Sequence, residues 1–285
     1  MDTALDLLTK NSFDKNGLRV ISLPCCRNVS EAYRMSRRDV EILALKNGIC
    51  PSRYERSIGV FGHAGQAKLL ESRAAVAGCG GLGGWIIEIL ARAGVGEIVM
   101  ADGDVFDESN LNRQLYSCEE NIGAPKADAA ARRVRSINSA VSAIPKNVYI
   151  NEGNCSEIVS GCQVVVDALD GNAARRVLFS CCRAHDIPFV HGAVGGYFGQ
   201  VGVLYGDSRP HWESEDIPDK GLETDAGCPP FTPSFVASIQ AAETLKLLAG
   251  SDKTLKNALA FFDLEDLSVQ KIRLDTKKLA NGAAG

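Results

Sequence analysis

A glycine-rich segment from Gly78 to Gly84 constrains the fold of this 285-residue chain more than any other feature. It follows residues 74–77, an apolar run typical of a buried strand, and precedes residues 82–93, whose apolar side chains recur on one face at helical spacing. A strand, a glycine turn and a helix in this order are typical of a nucleotide-binding unit, because the first turn of the helix offers backbone N–H groups to phosphate. A second strand, 97–101, then leads to Asp102, where a carboxylate can bind ribose hydroxyls.

The residues after this unit indicate which nucleotide chemistry it serves. A glycine turn alone also occurs where a helix and a strand merely pack closely, and NAD-dependent dehydrogenases share the fingerprint. Here, however, Asn110, Arg113 and Gln114 follow Asp102 closely, and Lys126 begins another helical segment. A nicotinamide needs an apolar pocket, whereas cations that converge on a triphosphate neutralise its charge during attack or departure. The sequence therefore favours phosphate chemistry over hydride transfer.

Several further motifs occur in a fixed order, and through them the chain resembles the MoeB/ThiF/HesA family, the bacterial relatives of ubiquitin-activating enzymes. The resemblance covers roughly residues 53–250. The motifs that carry it are Arg53-Tyr54-Glu55-Arg56, Gly78 to Gly84, Asp102 to Gln114, Asp167 to Arg175, Gly199-Gln200-Val201 and Ser238 to Leu248.

The predicted elements agree with an α/β fold. We expect a Rossmann-like, mostly parallel sheet with helices on both faces, antiparallel additions at the C-terminal side and a small N-terminal extension. The extension should be partly helical and cover residues 1–50, and the ATP-binding adenylyltransferase domain should cover 51–285. The further elements that we expect are helices at 30–45, 127–137, 172–185 and 235–249 and strands at 141–150, 163–168, 189–192, 196–205, 258–263 and 267–274.

The resemblance implies a specific reaction. Members of the family bind ATP and Mg²⁺ and adenylate the C-terminal Gly-Gly carboxylate of a small ubiquitin-like sulfur carrier of the MoaD or ThiS type. An acyl-adenylate and pyrophosphate result, for sulfur transfer to molybdopterin, tungstopterin or thiamin-type products. A carboxylate is a weak nucleophile that the anionic triphosphate repels, so such an enzyme has to supply positioning and charge neutralisation.

The resemblance also assigns roles around the nucleotide. The glycines of the turn would let the backbone approach the phosphates; they are Gly78, Gly80, Gly81 and Gly83. Asp102 would bind the ribose hydroxyls, unless it is only a turn-capping carboxylate. Lys126 would bind phosphate as a point charge, with Asp104 supporting the same region. The other residues that would line the phosphate site are Asn110, Arg113 and Gln114.

Two residues carry the less common parts of this hypothesis. Asp170 is the candidate Mg²⁺ ligand, because a hard cation that keeps most of its waters needs only one or two carboxylates. Its structural alternative is an N-cap on the helix that follows. Arg56, by resemblance, would reach into the ATP site of a second subunit as an arginine finger does, unless it is an ordinary solvated arginine. This assignment predicts a homodimer whose ATP sites are completed in trans.

The cysteines depart from the family pattern. The chain has 10 Cys but nowhere a Cys-x-x-Cys, whereas many relatives carry two such pairs that close a four-thiolate zinc site. We therefore expect no zinc. Cys228 is a candidate thiol for later sulfur chemistry, although the two prolines that follow it favour a stiff turn. Residues 210–228 are typical of a crossover loop that covers the carrier tail.

The composition narrows the remaining alternatives. A net charge of −4 gives no electrostatic footprint for nucleic acid. No apolar run approaches the roughly 20 residues that span a bilayer, and so many thiols without a secretory signal indicate the cytoplasm. Two other functions stay open, namely adenylation of another acceptor such as a modified tRNA nucleoside, and a non-catalytic nucleotide-binding scaffold. The carrier, its pathway, a later thioester or persulfide step and the role of residues 1–50 are not specified by the sequence. We expect His191 to be a structural histidine.

Overall fold

The computed structural model describes residues 3–214, 216–219 and 226–274. The helices in this part are α1 (Ala4–Asn11), α2 (Leu23–Tyr33), α3 (Arg37–Lys46), α4 (Ile58–Glu71), α5 (Gly81–Ala93), α6 (Lys126–Ile137), α7 (Cys155–Val159), α8 (Asn172–Ala184) and α9 (Phe231–Ala249). The strands are β1 (Phe13–Lys15), β2 (Leu18–Ile21), β3 (Cys50–Pro51), β4 (Arg73–Ala77), β5 (Glu97–Ala101), β6 (Ser142–Lys146), β7 (Val164–Asp167), β8 (Phe189–Gly195), β9 (Phe198–Leu204), β10 (Ala258–Asp263) and β11 (Ser268–Arg273).

An eight-stranded sheet with the order β11-β10-β9-β8-β7-β4-β5-β6 organises the larger part of the fold. Strands β6, β5, β4, β7 and β8 run parallel, and β9, β10 and β11 are added antiparallel. Strand β7 is fully buried, because helices cover both faces of the parallel part. One core cluster packs under α5, α6 and α9, and a second packs under α7 and α8. The predicted fold class is confirmed.

The N-terminal segment forms a small unit with its own core. Strands β1, β2 and β3 make a three-stranded sheet, and α1, α2 and α3 pack around Leu8, Ile21 and Val29. The single helix expected at 30–45 is wrong. The chain instead turns at Arg34, which has a left-handed φ of 53°, and α3 begins after Ser36, whose side chain accepts from the backbone N–H of Asp39. The boundary at residue 50 stays a prediction, and it falls within β3.

Other predicted elements are correct in type but differ in length. The strand expected at 141–150 begins at Ser142 and stops at Lys146. Pro145 is tolerated because β6 is an edge strand. Helix α9 begins at Phe231 rather than at residue 235, and β9 begins at Phe198, after a turn at Gly196 with φ of 57°. Part of the loop predicted at 210–228 lies outside the described residues. Among the described helices none is long and apolar enough to cross a membrane.

The glycine turn joins β4 to α5 by close backbone packing. Gly78 has φ of +95°, and a Cβ at this position would lie 2.4 Å from the carbonyl oxygen of Ala168. A Cβ on Gly83 would lie 1.9 Å from the carbonyl oxygen of Gly78, so the first turn of α5 can sit on the end of β4 only without a side chain there. Sterics thus explain part of the glycine pattern before any ligand is considered.

We predict that Gly83→Ala destabilises the fold whereas its neighbour Gly84→Ala does not. At Gly83 the clash is with backbone, so the free energy of unfolding should fall by about 1–3 kcal/mol or more. At Gly84 the nearest atom is Leu115 Cβ at 3.4 Å, an ordinary contact, and alanine should add up to about 1 kcal/mol of helix propensity. Urea unfolding of both variants measures the difference. Equal stability of the two would contradict the packing described here.

Candidate active site

One large cavity lies along the carboxyl ends of the parallel strands, where open α/β sheets bind their ligands. Its volume is about 1000 Å³. At one side it is lined by residues that follow β5 and β6, in the middle by the glycine turn and the loop after β7, and at the other side by β8, β9 and β10. The predicted site residues among its lining are Gly78, Gly80, Gly81, Asp102, Asp104, Arg113, Gln114, Lys126, Asp170 and Cys228.

The start of α5 has the features of an anion site. Gly80 is its N-cap, and no side chain caps the first turn, so backbone N–H groups there remain available. The amide of Gln114 packs against Gly80, with its Nε2 3.3 Å from where a Cβ would lie. Its Oε1 is buried without a hydrogen-bond partner in the described part of the chain. The uncapped N–H groups at the start of α5 fit a phosphate chain in this corner.

Asp102 ties the end of β5 to the glycine turn. Its carboxylate accepts the backbone N–H of Cys79 at 2.7 Å and that of Asp104 at 2.8 Å. Burial raises the pKa of Asp102, and these two hydrogen bonds oppose the shift only in part. The carboxylate therefore caps the turn and also lines the cavity. Its predicted contact with ribose hydroxyls stays a prediction.

Lys126 is held at the cavity by Asp104. The lysine side chain is buried at the start of α6, and its Nζ lies 3.0 Å from Asp104 Oδ2. The hydroxyl of Tyr149 donates to Asp104 Oδ1 at 2.8 Å. Burial alone would raise the pKa of Asp104, but the hydrogen bonds from Tyr149 and Lys126 outweigh it and lower the pKa. Sequence reasoning missed Tyr149, whose ring covers Gly103 and which no motif marks.

The segment between Asp107 and Gln114 orients Arg113, a second positively charged side chain at the cavity. Arg113 is half-buried, and its Nη1 donates to the carbonyl of Ser109 at 2.9 Å and to Asn112 Oδ1 at 2.8 Å. Asn110 is not among the cavity-lining residues. Its side chain accepts from the backbone N–H of Asp107, and its carbonyl accepts those of Arg113 and Gln114. Asn110 thus holds the turn that presents its two neighbours.

Asp170 follows β7 and points toward solvent at the centre of the cavity. It makes no hydrogen bond or ion pair within the described residues, and it is not the cap of α8. The cap is Gly171, and the loop residue Asp219 takes over the capping role. Its side chain accepts from the backbone N–H of Ala173 at 2.6 Å, and its carbonyl accepts from that of Asn172 at 2.8 Å. The structural alternative for Asp170 is therefore wrong, and its carboxylate remains available.

Arg175 fixes the turn that carries Asp170. Its Nε lies 2.7 Å from Asp167 Oδ2, and its other nitrogens donate to the carbonyl of Leu169 and to Asn172 Oδ1. Burial raises the pKa of Asp167, but the charge of Arg175 and a hydrogen bond from His191 lower it by more. Sequence reasoning included Arg175 in a motif without giving it a role. Arg175 follows Asn172 by three residues, and this helical spacing was the sequence signal that the two side chains are in contact.

His191 is a structural histidine, as expected. It is fully buried, with Nδ1 2.7 Å from Asp167 Oδ2 and Nε2 3.1 Å from the Gln200 amide nitrogen. Burial lowers its pKa, and this outweighs the opposite effect of Asp167. In the neutral ring, the Nδ1–H donates to Asp167 Oδ2 and Nε2 is left as an acceptor.

Besides Asn110, two predicted site residues do not line this cavity, Gly83 and Arg56. Gly83 packs against Gly78 as described above. Arg56 is exposed and does not line the cavity of its own chain. Cys228 lies at the cavity, and its carbonyl accepts from Asn112 Nδ2 at 3.1 Å; its role as a thiol stays a prediction.

The donor set fits a magnesium ion that would bind together with a nucleotide. Within the described residues no group of three or more His, Cys, Asp or Glu side chains could hold a metal by itself. Mg²⁺ in nucleotide sites keeps several waters and takes one or two carboxylates together with phosphate oxygens. Asp170, beside the glycine turn and without a competing partner in the described part, is such a carboxylate.

The fold and this site together define a nucleotide-binding enzyme of the adenylating class. The chain belongs to the ThiF family, whose sequence profile matches residues 54–282. It is accordingly an ATP-dependent adenylyltransferase of the ThiF/MoeB type.

Individual relatives agree with this placement. The SAMP-activating enzyme E1 of Haloferax volcanii is 39% identical over 227 residues, which cover 77% of this chain and 84% of that protein. The sulfur carrier protein ThiS adenylyltransferase of Bacillus subtilis is 36% identical, over 74% of this chain and 65% of its own length. The molybdopterin-synthase adenylyltransferase of Escherichia coli is 30% identical, over 78% of this chain and 92% of that protein. The crystal structure of E. coli MccB with ATP has a TM-score of 0.68 over 90% of this chain and 80% of that chain, and at 19% identity it shows the fold.

We predict that Asp219, and not Asp170, stabilises α8. Asp219→Ala should lower the free energy of unfolding by about 1 kcal/mol through the lost cap, and Asp219→Asn should retain most of the stability because asparagine also caps well. Asp170→Ala should stay within about 0.5 kcal/mol of the unchanged protein. Urea unfolding of the three variants gives the order of their free energies of unfolding. A larger loss for Asp170→Ala would show that the capping roles are reversed.

Proposed function

We propose that the enzyme adenylates the C-terminal Gly-Gly carboxylate of a small ubiquitin-like sulfur carrier of the MoaD or ThiS type. The observation that carries this proposal is the extent of the cavity lining, which continues from the phosphate corner to residues of β8, β9 and β10. The part of the cavity that these three strands line is the second lobe. Small residues line this lobe, among them Ala193, Gly195 and Gly199. A chain end without side chains suits a cavity wall that is lined by small residues. The names of the relatives, which include a ThiS adenylyltransferase and a SAMP-activating enzyme, point the same way.

The positions of the side chains support a division of labour along the cavity. Asp102 would bind the ribose, and the uncapped start of α5 would bind the phosphates. Arg113 and Lys126 would neutralise the charge that otherwise repels the incoming carboxylate, and this effect is the main requirement of the reaction. The carrier carboxylate oxygen forms a bond to the α-phosphorus, the bond to the bridging oxygen breaks, and pyrophosphate leaves with that electron pair. Asp170 would hold Mg²⁺, which when bound neutralises phosphate charge.

Arg56 supports a second part of the proposal, a homodimer with shared sites. The side chain is exposed and lies outside the cavity of its own chain. The neighbouring Arg53 is instead committed to the fold, because it lies 3.3 Å from Glu41 and also bonds Asn138. An exposed arginine without a hydrogen bond or ion pair to the described part of its own subunit is suited to reach the phosphates of a partner.

We predict that the enzyme catalyses ATP–pyrophosphate exchange only when a Gly-Gly-terminated carrier is present. Lys126→Ala should lower the exchange rate about 10²–10³-fold, the usual cost of removing one charge-stabilising group. The control is Lys146→Ala, whose lysine forms a surface ion pair with Glu157 and should leave the rate unchanged. Tight ATP binding without exchange for any such carrier would refute the proposal and favour a scaffold.

We further predict that two inactive variants complement each other when mixed. Arg56→Ala and Lys126→Ala subunits that assort at random should recover about a quarter of the wild-type rate. Half of the dimers are then mixed, and each mixed dimer has one intact site out of two. Each variant alone must fold, dimerise and remain inactive. Complete failure of the mixture to recover activity would place Arg56 in the site of its own subunit or outside any site.

A further inference from the structure

The second lobe of the cavity contains one polar side chain whose orientation is fixed from behind. Gln200 lies on β9, directly opposite Ala193 on β8 and Phe261 on β10. Residues that face each other across neighbouring strands project from the same face of a sheet, and all three line the cavity. Gln200 therefore stands in the middle of a wall whose neighbours are apolar.

A chain of hydrogen bonds decides which end of the Gln200 amide faces the cavity. Asp167 Oδ2 accepts a hydrogen bond from the Nδ1–H of His191 at 2.7 Å, so in the neutral ring the other nitrogen carries only a lone pair. That nitrogen lies 3.1 Å from Gln200 Nε2, which must donate to it. The amide oxygen Oε1 is left as the polar atom directed away from His191, and no donor among the described residues reaches it.

The nucleotide does not suit this oxygen. Asp102 ends β5 and Gln200 lies on β9, four strands away in the sheet, which corresponds to roughly 19 Å at about 4.8 Å a strand. Triphosphate oxygens are acceptors and would be repelled by another acceptor. A peptide N–H, by contrast, is a donor that fits an acceptor in an otherwise apolar wall.

We propose that Gln200 accepts a hydrogen bond from a peptide N–H of the carrier tail, and that His191 and Asp167 orient the Gln200 amide for this bond. The inference rests on the proposed function and adds to it a residue that recognises the backbone of the tail by a hydrogen bond. It explains why a buried histidine with no contact to the cavity is placed behind a glutamine on the sheet. Gln200 contacts substrate in this proposal, and His191 is a positioning residue.

The test removes the two partners of the bond separately and together. The carrier is prepared by semisynthesis with each of its last two glycines in turn replaced by N-methylglycine, which lacks the N–H. With the wild-type enzyme, one of the two carriers should show a KM about tenfold higher in ATP–pyrophosphate exchange, as expected for a lost hydrogen bond. Gln200→Ala should raise the KM of the unmodified carrier by a similar factor and leave the KM for ATP unchanged. The same N-methylation should then cost Gln200→Ala little more, because the bond is already absent.

Two further variants separate positioning from structure. His191→Phe keeps a ring beside Trp212, whose centroid lies 5.2 Å from that of His191, but it releases the Gln200 amide. It should raise the carrier KM with the KM for ATP unchanged. Gln270→Ala replaces an exposed glutamine on β11 of the same sheet and should change neither.

The outcomes distinguish this inference from the proposed function. If N-methylation costs Gln200→Ala as much as it costs the wild type, or if Gln200→Ala raises the KM for ATP equally, Gln200 does not read the tail, although carrier-dependent exchange still supports adenylation. If the wild type shows no exchange with any Gly-Gly carrier, both proposals fall together.

Discussion

The fully buried carboxylate of Asp167 is the interaction on which the active-site side of the sheet depends. It ends β7 at the centre of the cavity and receives bonds from Arg175, His191 and the backbone N–H of Leu169. A buried charge is tolerated only when it is paired and hydrogen-bonded. Once these donors are committed, the turn that presents Asp170 is fixed on one side and the Gln200 amide on the other. A single ionised group thus orders both halves of the site.

The regions of the cavity follow one another in the order of the strands in the sheet. The proposed ribose region belongs to β5, the proposed phosphate corner to β4, the metal candidate to β7 and the second lobe to β8, β9 and β10. The change from parallel to antiparallel pairing occurs at β9. Antiparallel strands need no crossover helix, so β9 and β10 join the cavity wall without adding one. The nucleotide and the proposed tail would therefore meet near Asp170.

Local rules allowed much of the fold and part of the site to be predicted from the sequence. The glycine turn was predictable because backbone clashes leave glycine as the only choice at Gly78 and Gly83. Contacts made by residues distant in the chain were not. Asp219 caps a helix that begins 47 residues earlier at Asn172, and no local pattern marks such a cap. The helix expected at 30–45 was wrong because its apolar spacing continues through Arg34, where the chain turns.

The ion pair between Lys126 and Asp104 has a consequence for ligand discrimination. The carboxylate occupies the lysine at 3.0 Å, and it therefore acts as a built-in competitor for every anion that enters the cavity. A small anion with one contact gains little by displacing it, because one interaction is exchanged for another of the same kind. A polyphosphate that simultaneously bonds the start of α5 and Arg113 brings additional contacts to the exchange. In the proposed site the ion pair would thereby set an affinity threshold that favours nucleotides over inorganic phosphate.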